Sequence, residues 1–275
     1  MPKKPNKEGS LRRVYEGIDT VYSLPTDIYL YNANQLISGV NKGWGNISFG
    51  YNSPDYKLYT HINDNVYLFS GAKTFQQTKL MSAEIVKDGK VRTYEEFKKS
   101  AGTIFDDFNE KYLRTEYSTA LEGASGAKNW SKIQSEKHIF PYGRWITSED
   151  ATVCPICAPL NGMTMKVDSK IFKDTWTPLH YECHCHVLQV SKDDIEEGYE
   201  SISCKSEVTK IEKHLASLNE KGKIFKNNSG ITGQVFTDKH PYFKIPKEYQ
   251  RLAKNNFSLP IPENHVNYQG IKTIK

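Results

Sequence analysis

One segment of the chain has the hydrophobic spacing of a long amphipathic helix. Its apolar positions recur at helical intervals, at Phe97, Ile104, Phe108, Tyr112 and Ala120. Just before them, Thr93 and Glu96 have the spacing of a capping box, which pairs the free amides at a helix start. We predict a helix from about 94 to about 121. Gly123 and Gly126 are expected to end it, because glycine readily adopts the left-handed conformation that closes helices.

Shorter elements are predicted further along. A second helix is expected over 207–220, closed at Gly222, where apolar residues align at Val208, Ile211, Leu215 and Leu218. Met163–Val167 and Val187–Val190 have the composition of short strands. Each strand lies beside one end of a cluster of cysteines and histidines. We therefore predict that this part of the chain consists of strands and loops.

The two ends of the chain give weaker patterns. Residues 1–92 are rich in Tyr, Asn, Asp and Gly, with only short alternating pieces, which favours irregular structure with short strands or helical turns. The last fifty residues contain Pro241, Pro246, Pro260 and Pro262. Spaced prolines predict an extended arm rather than a packed domain.

Composition excludes several classes of protein. Of the 275 residues 37% are hydrophobic, mean hydropathy is −0.63, and 12% are aromatic, which is too rich for a disordered chain. No stretch approaches the roughly 18 apolar residues of a membrane span, and the first residues contain no apolar run. We therefore expect a protein with neither a signal peptide nor a membrane anchor.

The net charge of +5 is concentrated at the two ends. Residues 1–13 carry +4 and residues 239–275 carry +5, which leaves −4 on the body between them. Basic ends suit contact with nucleic acid or with an acidic protein surface. The alternative is that they are solubilising tails that bind nothing.

Cysteine spacing is the strongest chemical signal. Of the five cysteines, Cys154 and Cys157 form a CxxC pair, and His180, Cys183 and Cys185 follow 22 residues later. Zinc prefers four thiolate or imidazole ligands in a tetrahedron, and a CxxC turn lets two thiolates reach one ion. We predict Zn²⁺ on the CxxC pair plus two of the other three, preferred in the order Cys185, His180, Cys183.

Other cysteines and histidines nearby receive different interpretations. His184 and His186 alternate with the cysteines, so we expect them to face away from the ion, at the surface or behind the ligands. Cys204 stands apart and is interpreted as an ordinary thiol. With five candidates for four positions, saturation is easy, which favours a structural zinc on which the folding of a small polar module depends.

Enzyme signatures fit poorly. A nucleobase deaminase has HxE upstream of PCxxC, whereas here His180-Tyr181-Glu182 follows the CxxC pair. The chain has no Walker-type phosphate loop, GxSxG elbow or GxGxxG. A zinc-dependent nuclease stays open as an alternative, because histidines lie near the cysteines.

These elements predict an α+β fold in three segments. Residues 1–92 form an irregular N-terminal region, and 206–275 a helix plus an extended basic tail. In 93–205 a long central helix packs on a small strand-and-loop unit pinned by zinc.

Three features of this central segment together resemble one family. The first is Arg114-Thr115-Glu116, followed by Ala120. The second is Trp145 with Asp150, followed by the CxxC pair and Leu160-Asn161-Gly162. The third is Pro178-Leu179-His180, followed by Cys183-His184-Cys185. They resemble the phage Mu F-like family of minor head, or head-morphogenesis, proteins over roughly 93–190. That family more usually has Arg where this chain has His184. The resemblance identifies 93–205 as a Mu F-like head morphogenesis domain.

The resemblance implies a virion protein rather than an enzyme. It implies few copies inside the phage head, after assembly in the host cytoplasm, with the portal and other head proteins as partners, and a role in assembly and in DNA packaging or ejection. Non-specific DNA contact fits the basic ends. Arg114 and Glu116 lie two apart on a helix, so they must pair with other elements, such as the zinc unit, or stay solvated.

Two other functions stay open at this point. One is a zinc-dependent enzyme that acts on DNA, such as a nuclease or a toxin. The other is a zinc-stabilised adaptor that binds only protein.

Overall fold

The computed structural model of the chain describes residues 3–46, 53–147, 154–218, 222 and 224–262, and the fold is α+β as predicted. The helices are α1 (Lys7–Tyr15), α2 (Thr26–Trp44), α3 (Pro54–Ala83), α4 (Tyr94–Asp106), α5 (Tyr112–Glu136), α6 (Lys170–Asp174), α7 (Lys192–Glu196) and α8 (Lys205–Ala216). The strands are β1 (Val86–Lys87), β2 (Lys90–Val91), β3 (Tyr142–Ile146), β4 (Thr164–Lys166) and β5 (His186–Val190). Among the described residues, every helix is either too short or too polar to span a membrane.

The chain forms two compact units that interleave along the sequence. The first unit contains Met1–Gly39, Asn63–Tyr117 and Asp238–Lys275, and the second contains Val40–Ile62 and Ser118–Thr237. This division follows contacts in space. The predicted division along the sequence into 1–92, 93–205 and 206–275 stays a prediction.

The prediction that 1–92 is irregular is wrong. This region contains α1, α2 and the 30-residue α3, followed by the small β1–β2 hairpin. Almost every residue of α3 from 62 to 78 is buried. Many of these buried residues are polar: Asn63, Asp64, Asn65, Ser70, Lys73, Thr74, Gln77 and Thr78. A helix buried on all sides, with polar residues around its circumference, shows no amphipathic period in its sequence.

The basic N-terminal segment is packed within the first unit. Leu11 and Val14 of α1 are buried in one core with Phe97 and Phe105 of α4. Its cations make ion pairs within that unit: Lys4 with Glu110, Lys7 with Asp106, Arg12 with Glu8 and Glu16, and Arg13 with Asp19 and Asp27. Much of the predicted N-terminal excess charge is therefore neutralised locally.

The C-terminal arm is also folded rather than extended. Its described residues form short helical turns at Pro241–Phe243, Lys247–Tyr249, Gln250–Ala253 and Asn256–Ser258. Phe257 is buried and stacks on Phe75 of α3 with ring centroids 4.9 Å apart. Aromatic residues therefore bury this segment in spite of its prolines. Residues 263–275 of the predicted tail lie outside the described residues.

The long central helix begins where predicted but continues further. Thr93 caps α4 with the predicted capping box to Glu96. A five-residue π-helical segment, Asp107–Lys111, joins α4 to α5, and α5 runs on to Glu136. Gly123 and Gly126 therefore do not end the helix.

Close packing explains both of these glycines. A Cβ at Gly123 would lie 2.7 Å from the Val235 side chain, and one at Gly126 would lie 2.6 Å from the carbonyl oxygen of Thr177. These separations are too short for a Cβ contact. The glycines thus allow other segments of the second unit to approach α5, rather than closing the helix.

A three-stranded antiparallel sheet in the second unit has the order β4-β3-β5. Gly143 of β3 pairs with Met165 on one side and with Gln189 on the other. Both predicted strands are confirmed as β4 and β5, and the helix predicted over 207–220 is confirmed as α8, which starts two residues earlier and ends at Ala216. Ser217 and Leu218 are not helical, and residues 219 and 220 of the prediction lie outside the described residues.

Candidate metal centre

The first two predicted ligands lie on one tight turn. The amides of Cys157 and Ala158 both donate to the carbonyl oxygen of Cys154, at 3.1 and 3.0 Å. A short helical turn, Ala158–Leu160, follows and buries Leu160. These local bonds direct the two thiols of the CxxC pair toward the same region.

The other three candidates lie on the segment that leads into β5. Leu179 and Cys183 are buried, and Cys185 immediately precedes the strand. The pairing of Trp145 in β3 with Val187 in β5 places this segment in the sheet. The end of the second ligand segment is therefore fixed by the sheet.

Tertiary structure brings all five candidate ligands together. Cys154, Cys157 and His180 form one triad, and Cys157, Cys183 and Cys185 form another. Within each triad the ligand atoms lie within 4.8 Å of one another. Cys157 belongs to both triads, so the five residues make one cluster that could hold a metal ion.

Sulfur spacing fits a tetrahedral thiolate site. The Sγ atoms of Cys157 and Cys183 are 3.8 Å apart. Two thiolates bound to one zinc at about 2.3 Å in a tetrahedron stand about 3.8 Å from each other. Cys157 and Cys183 are thus already at the spacing that one ion requires.

The imidazole of His180 leaves one ring nitrogen available for a metal. Its Nδ1 lies 2.7 Å from the carbonyl oxygen of Tyr181. Because a carbonyl only accepts, Nδ1 carries the proton and Nε2 is left for a metal, which is the usual arrangement of a ligating histidine. A hydrogen bond with Cys183 raises the pKa of His180 to about 9.

The buried thiols share protons unequally. Hydrogen bonds from Cys157 and Cys185 lower the pKa of Cys183, while the pKa of Cys157 is raised because its proton is held between sulfurs. The lowered pKa of Cys183 favours its thiolate, which is the form that binds metals.

Residues beside the cluster behave as predicted. His184 and His186 are both exposed, and His184 Nδ1 lies 3.7 Å from a carboxylate oxygen of Glu122 on α5. Cys204 is an exposed free thiol. Neither histidine belongs to the two triads formed by the described residues.

The residues that carried the family resemblance mostly build the core around the cluster. Trp145 and Leu160 are fully buried in it with Trp176. Asn161 accepts the amide of Thr147 at 3.1 Å, which joins the loop after the CxxC pair to the end of β3. Asp150 lies outside the described residues.

Glu116 of α5 pairs with another element, as expected, but that element is α3 rather than the zinc unit. Its partner is Lys73 inside the first unit, while Arg114 is exposed, as the alternative of a solvated side chain expects. The physical reason is that α5 passes through both units, and its first turns belong to the first of them.

Sequence reasoning missed one residue beside the site. His214 of α8 places its Nε2 3.1 Å from the carbonyl oxygen of Ile156, inside the CxxC turn. Helical spacing from Ile211 could have placed His214 on the buried face of its helix. Nothing in the sequence relates that face to the CxxC turn at Ile156, 58 residues away.

Comparison with known families gives one match. Residues 76–188 match the family described as Phage Mu protein F like protein. The matched residues contain all five candidate ligands and end within β5. No curated protein and no solved structure matches the chain.

Proposed function

Because residues 76–188 belong to the phage Mu F-like family of head morphogenesis proteins, we propose that this protein is a minor head protein of a bacteriophage. It acts near the portal in head assembly and in packaging or ejection of DNA, and it resides inside the virion. The observation that carries this proposal is the family match, which spans the whole Cys/His cluster.

We further propose that the cluster holds a structural zinc. Cys157, Cys183 and Cys185 are almost completely buried, and five donors compete for four positions. A closed, saturated site favours structure over catalysis. When bound, zinc supplies a cross-link between the CxxC turn and the segment before β5.

Contact with DNA belongs to the C-terminal segment in this proposal. Five exposed cations there make no ion pair within the described part of the chain: Lys239, Lys244, Lys247, Arg251 and Lys254. The paired N-terminal cations are less available. Unpaired cations displace counterions from DNA, so binding is expected to be independent of sequence and to weaken with salt.

Zinc content tests the metal proposal directly. Elemental analysis of the full chain should give about one zinc per chain. Cys157→Ser should lose it, because Cys157 belongs to both triads, and the exposed Cys204→Ser is the matched control that should keep it. A wild-type protein without zinc, or equal retention by both variants, would exclude the site.

Complementation tests the head function. A phage or prophage lacking this gene should make fewer filled heads or heads that fail to deliver DNA, and the wild-type chain should restore them. The protein should sediment with wild-type heads and bind purified portal. Normal infectivity without the gene would contradict the proposal.

DNA affinity can be measured across a salt series. Replacing Lys247, Arg251 and Lys254 together by Gln should weaken binding and reduce the salt slope by about 0.9 per lost phosphate contact. The control replaces the paired Lys4 and Lys7. Salt-independent binding, or none, would favour an adaptor that binds only protein.

The alternative is a zinc-dependent nuclease or toxin. His184 favours it, since this exposed histidine lies beside both the ligands and Glu122, whose pKa is raised by burial. Under this alternative the protein nicks plasmid DNA in a metal-dependent way, and His184→Ala abolishes nicking without loss of zinc. We expect no nicking by either protein.

A further inference from the structure

The last turn of α8 contacts the turn that carries the first two candidate ligands. His214 Nε2 lies 3.1 Å from the carbonyl oxygen of Ile156. A carbonyl oxygen only accepts hydrogen bonds, so the imidazole donates through Nε2–H. Ile156 lies between the two cysteines of the CxxC pair, and the contact therefore holds the backbone of this turn from outside the ligand set.

The other backbone hydrogen bonds found for the described residues of this turn are local. The amides of Cys157 and Ala158 donate to the carbonyl oxygen of Cys154, and the amide of Leu160 donates to the carbonyl oxygen of Cys157. Such bonds define the shape of the turn but not its position relative to the rest of the unit. The bond from His214 connects it to an element 58 residues away in sequence.

Helix α8 is itself firmly placed against the same core. Ile211 is 3% exposed and belongs to the hydrophobic cluster that contains Cys157 and Cys183, and Val208 and Leu215 pack against that cluster. His214 lies three residues after Ile211, so the two side chains project from the same face of the helix. The donor is thus held on a packed helix rather than on a loop.

We propose that His214 is a positioning residue of the metal centre, and that α8 is part of the metal-binding module although it lies beyond the matched residues 76–188. His214 fixes the carbonyl of Ile156 and thereby the direction of the thiols of Cys154 and Cys157. This inference rests on the proposed zinc site. Loss of an outer hydrogen bond of this kind typically lowers metal affinity 10–100-fold.

Competition with a chromophoric chelator on the full chain tests the proposal. His214→Ala should lower zinc affinity by about 10–100-fold. His214→Gln should recover most of it, because the glutamine amide can also donate to Ile156. Cobalt in place of zinc should show altered thiolate and ligand-field absorption bands in His214→Ala, since the geometry of the thiolates changes.

A second variant separates positioning from simple helix packing. Val208→Ala removes packing from the same helix and leaves the hydrogen bond in place, so its thermal stability should fall while zinc affinity and cobalt bands stay near wild type. Lys213→Ala, at an exposed neighbouring position, should change neither thermal stability nor zinc affinity.

The outcomes distinguish the two proposals. If wild type binds zinc but His214→Ala binds it equally well, or if His214→Ala and Val208→Ala lose affinity equally, the role of His214 is overturned and the zinc site stands. If wild type binds no zinc or cobalt, the proposed site itself is wrong, and the role of His214 is overturned with it.

Discussion

Lys73 of α3 and Glu116 of α5 form an ion pair from which solvent is almost excluded, with side chains 0% and 5% exposed. Burial lowers the pKa of the Lys73 ammonium, and the Glu116 carboxylate opposes that shift. Inside a protein such a pair is stable only while both partners are present, because a single buried charge has no compensating interaction.

Removing one partner of this pair should therefore be severe. Glu116→Gln should destabilise the protein by about 3–5 kcal/mol, because it leaves the Lys73 ammonium buried and unpaired. The double variant Lys73→Met/Glu116→Leu should recover most of the loss. Urea unfolding followed by circular dichroism measures both. Equal stability of the single variant and wild type would show that the pair is hydrated in solution.

Buried His240 should make the protein sensitive to acid. Burial, aided by the charge of Lys73, lowers the pKa of His240 to about 4. In the unfolded state His240 has a pKa of about 6.5, so between about pH 6.5 and pH 4 its imidazole is protonated there but neutral in the folded state. Because of this residue, the free energy of unfolding falls as pH falls from about 6.5 to about 4. The contribution is roughly 3 kcal/mol in total, at about 1.4 kcal/mol per unit of pKa.

The measurement is the difference in unfolding free energy between wild type and His240→Gln at a series of pH values. A constant offset reports lost packing, whereas a difference that changes between pH 6.5 and 4 reports the proton. A difference independent of pH would mean that His240 takes up its proton in the folded state as readily as in the unfolded one.

Asp64 should have the opposite pH dependence. Burial raises its pKa to about 7, and its Oδ1 has no hydrogen-bond partner among the described residues. The folded state therefore holds the proton more tightly than the unfolded state. The contribution of Asp64 to the free energy of unfolding is fully present below about pH 4 and is lost as pH rises through 7.

Replacement by the neutral isostere tests this. Asp64→Asn should be more stable than wild type by about 2–4 kcal/mol at pH 8, and this advantage should vanish near pH 4. Urea midpoints of both proteins across that range provide the comparison. An advantage that stays constant with pH would assign the effect to packing rather than to the carboxylate.

Gly43 should tolerate no side chain. An added Cβ would lie 1.9 Å from the carbonyl oxygen of Leu121, so backbone would have to move. Gly43→Ala should destabilise by about 1–3 kcal/mol or more, as overpacking does. The control is Gly9→Ala in α1, where the nearest atom is 3.8 Å away. There, alanine should stabilise by about 0.5–1 kcal/mol. Similar thermal shifts in both variants would contradict the close approach.

Features that depend on short spacings could be predicted from the sequence. Thr93 and Glu96 begin α4 because a capping box needs only residues of one turn. The five candidate ligands were found for the same reason, because two residues between Cys154 and Cys157 suit one metal ion in almost any fold. The composition of short segments likewise located β4 and β5, and the helical spacing of apolar residues located α8.

Features that depend on a distant partner became visible only in the folded chain. Helix α3 showed no period because polar as well as apolar residues are buried around its circumference, Lys73 among them in its pair with Glu116. Gly126 was predicted to end a helix. The close approach of the Thr177 carbonyl oxygen explains instead why glycine is needed at this position. The contact of His214 with Ile156 exists because packing brings α8 to the cysteine turn. Local spacing cannot encode such meetings, since they depend on which surfaces the whole chain buries together.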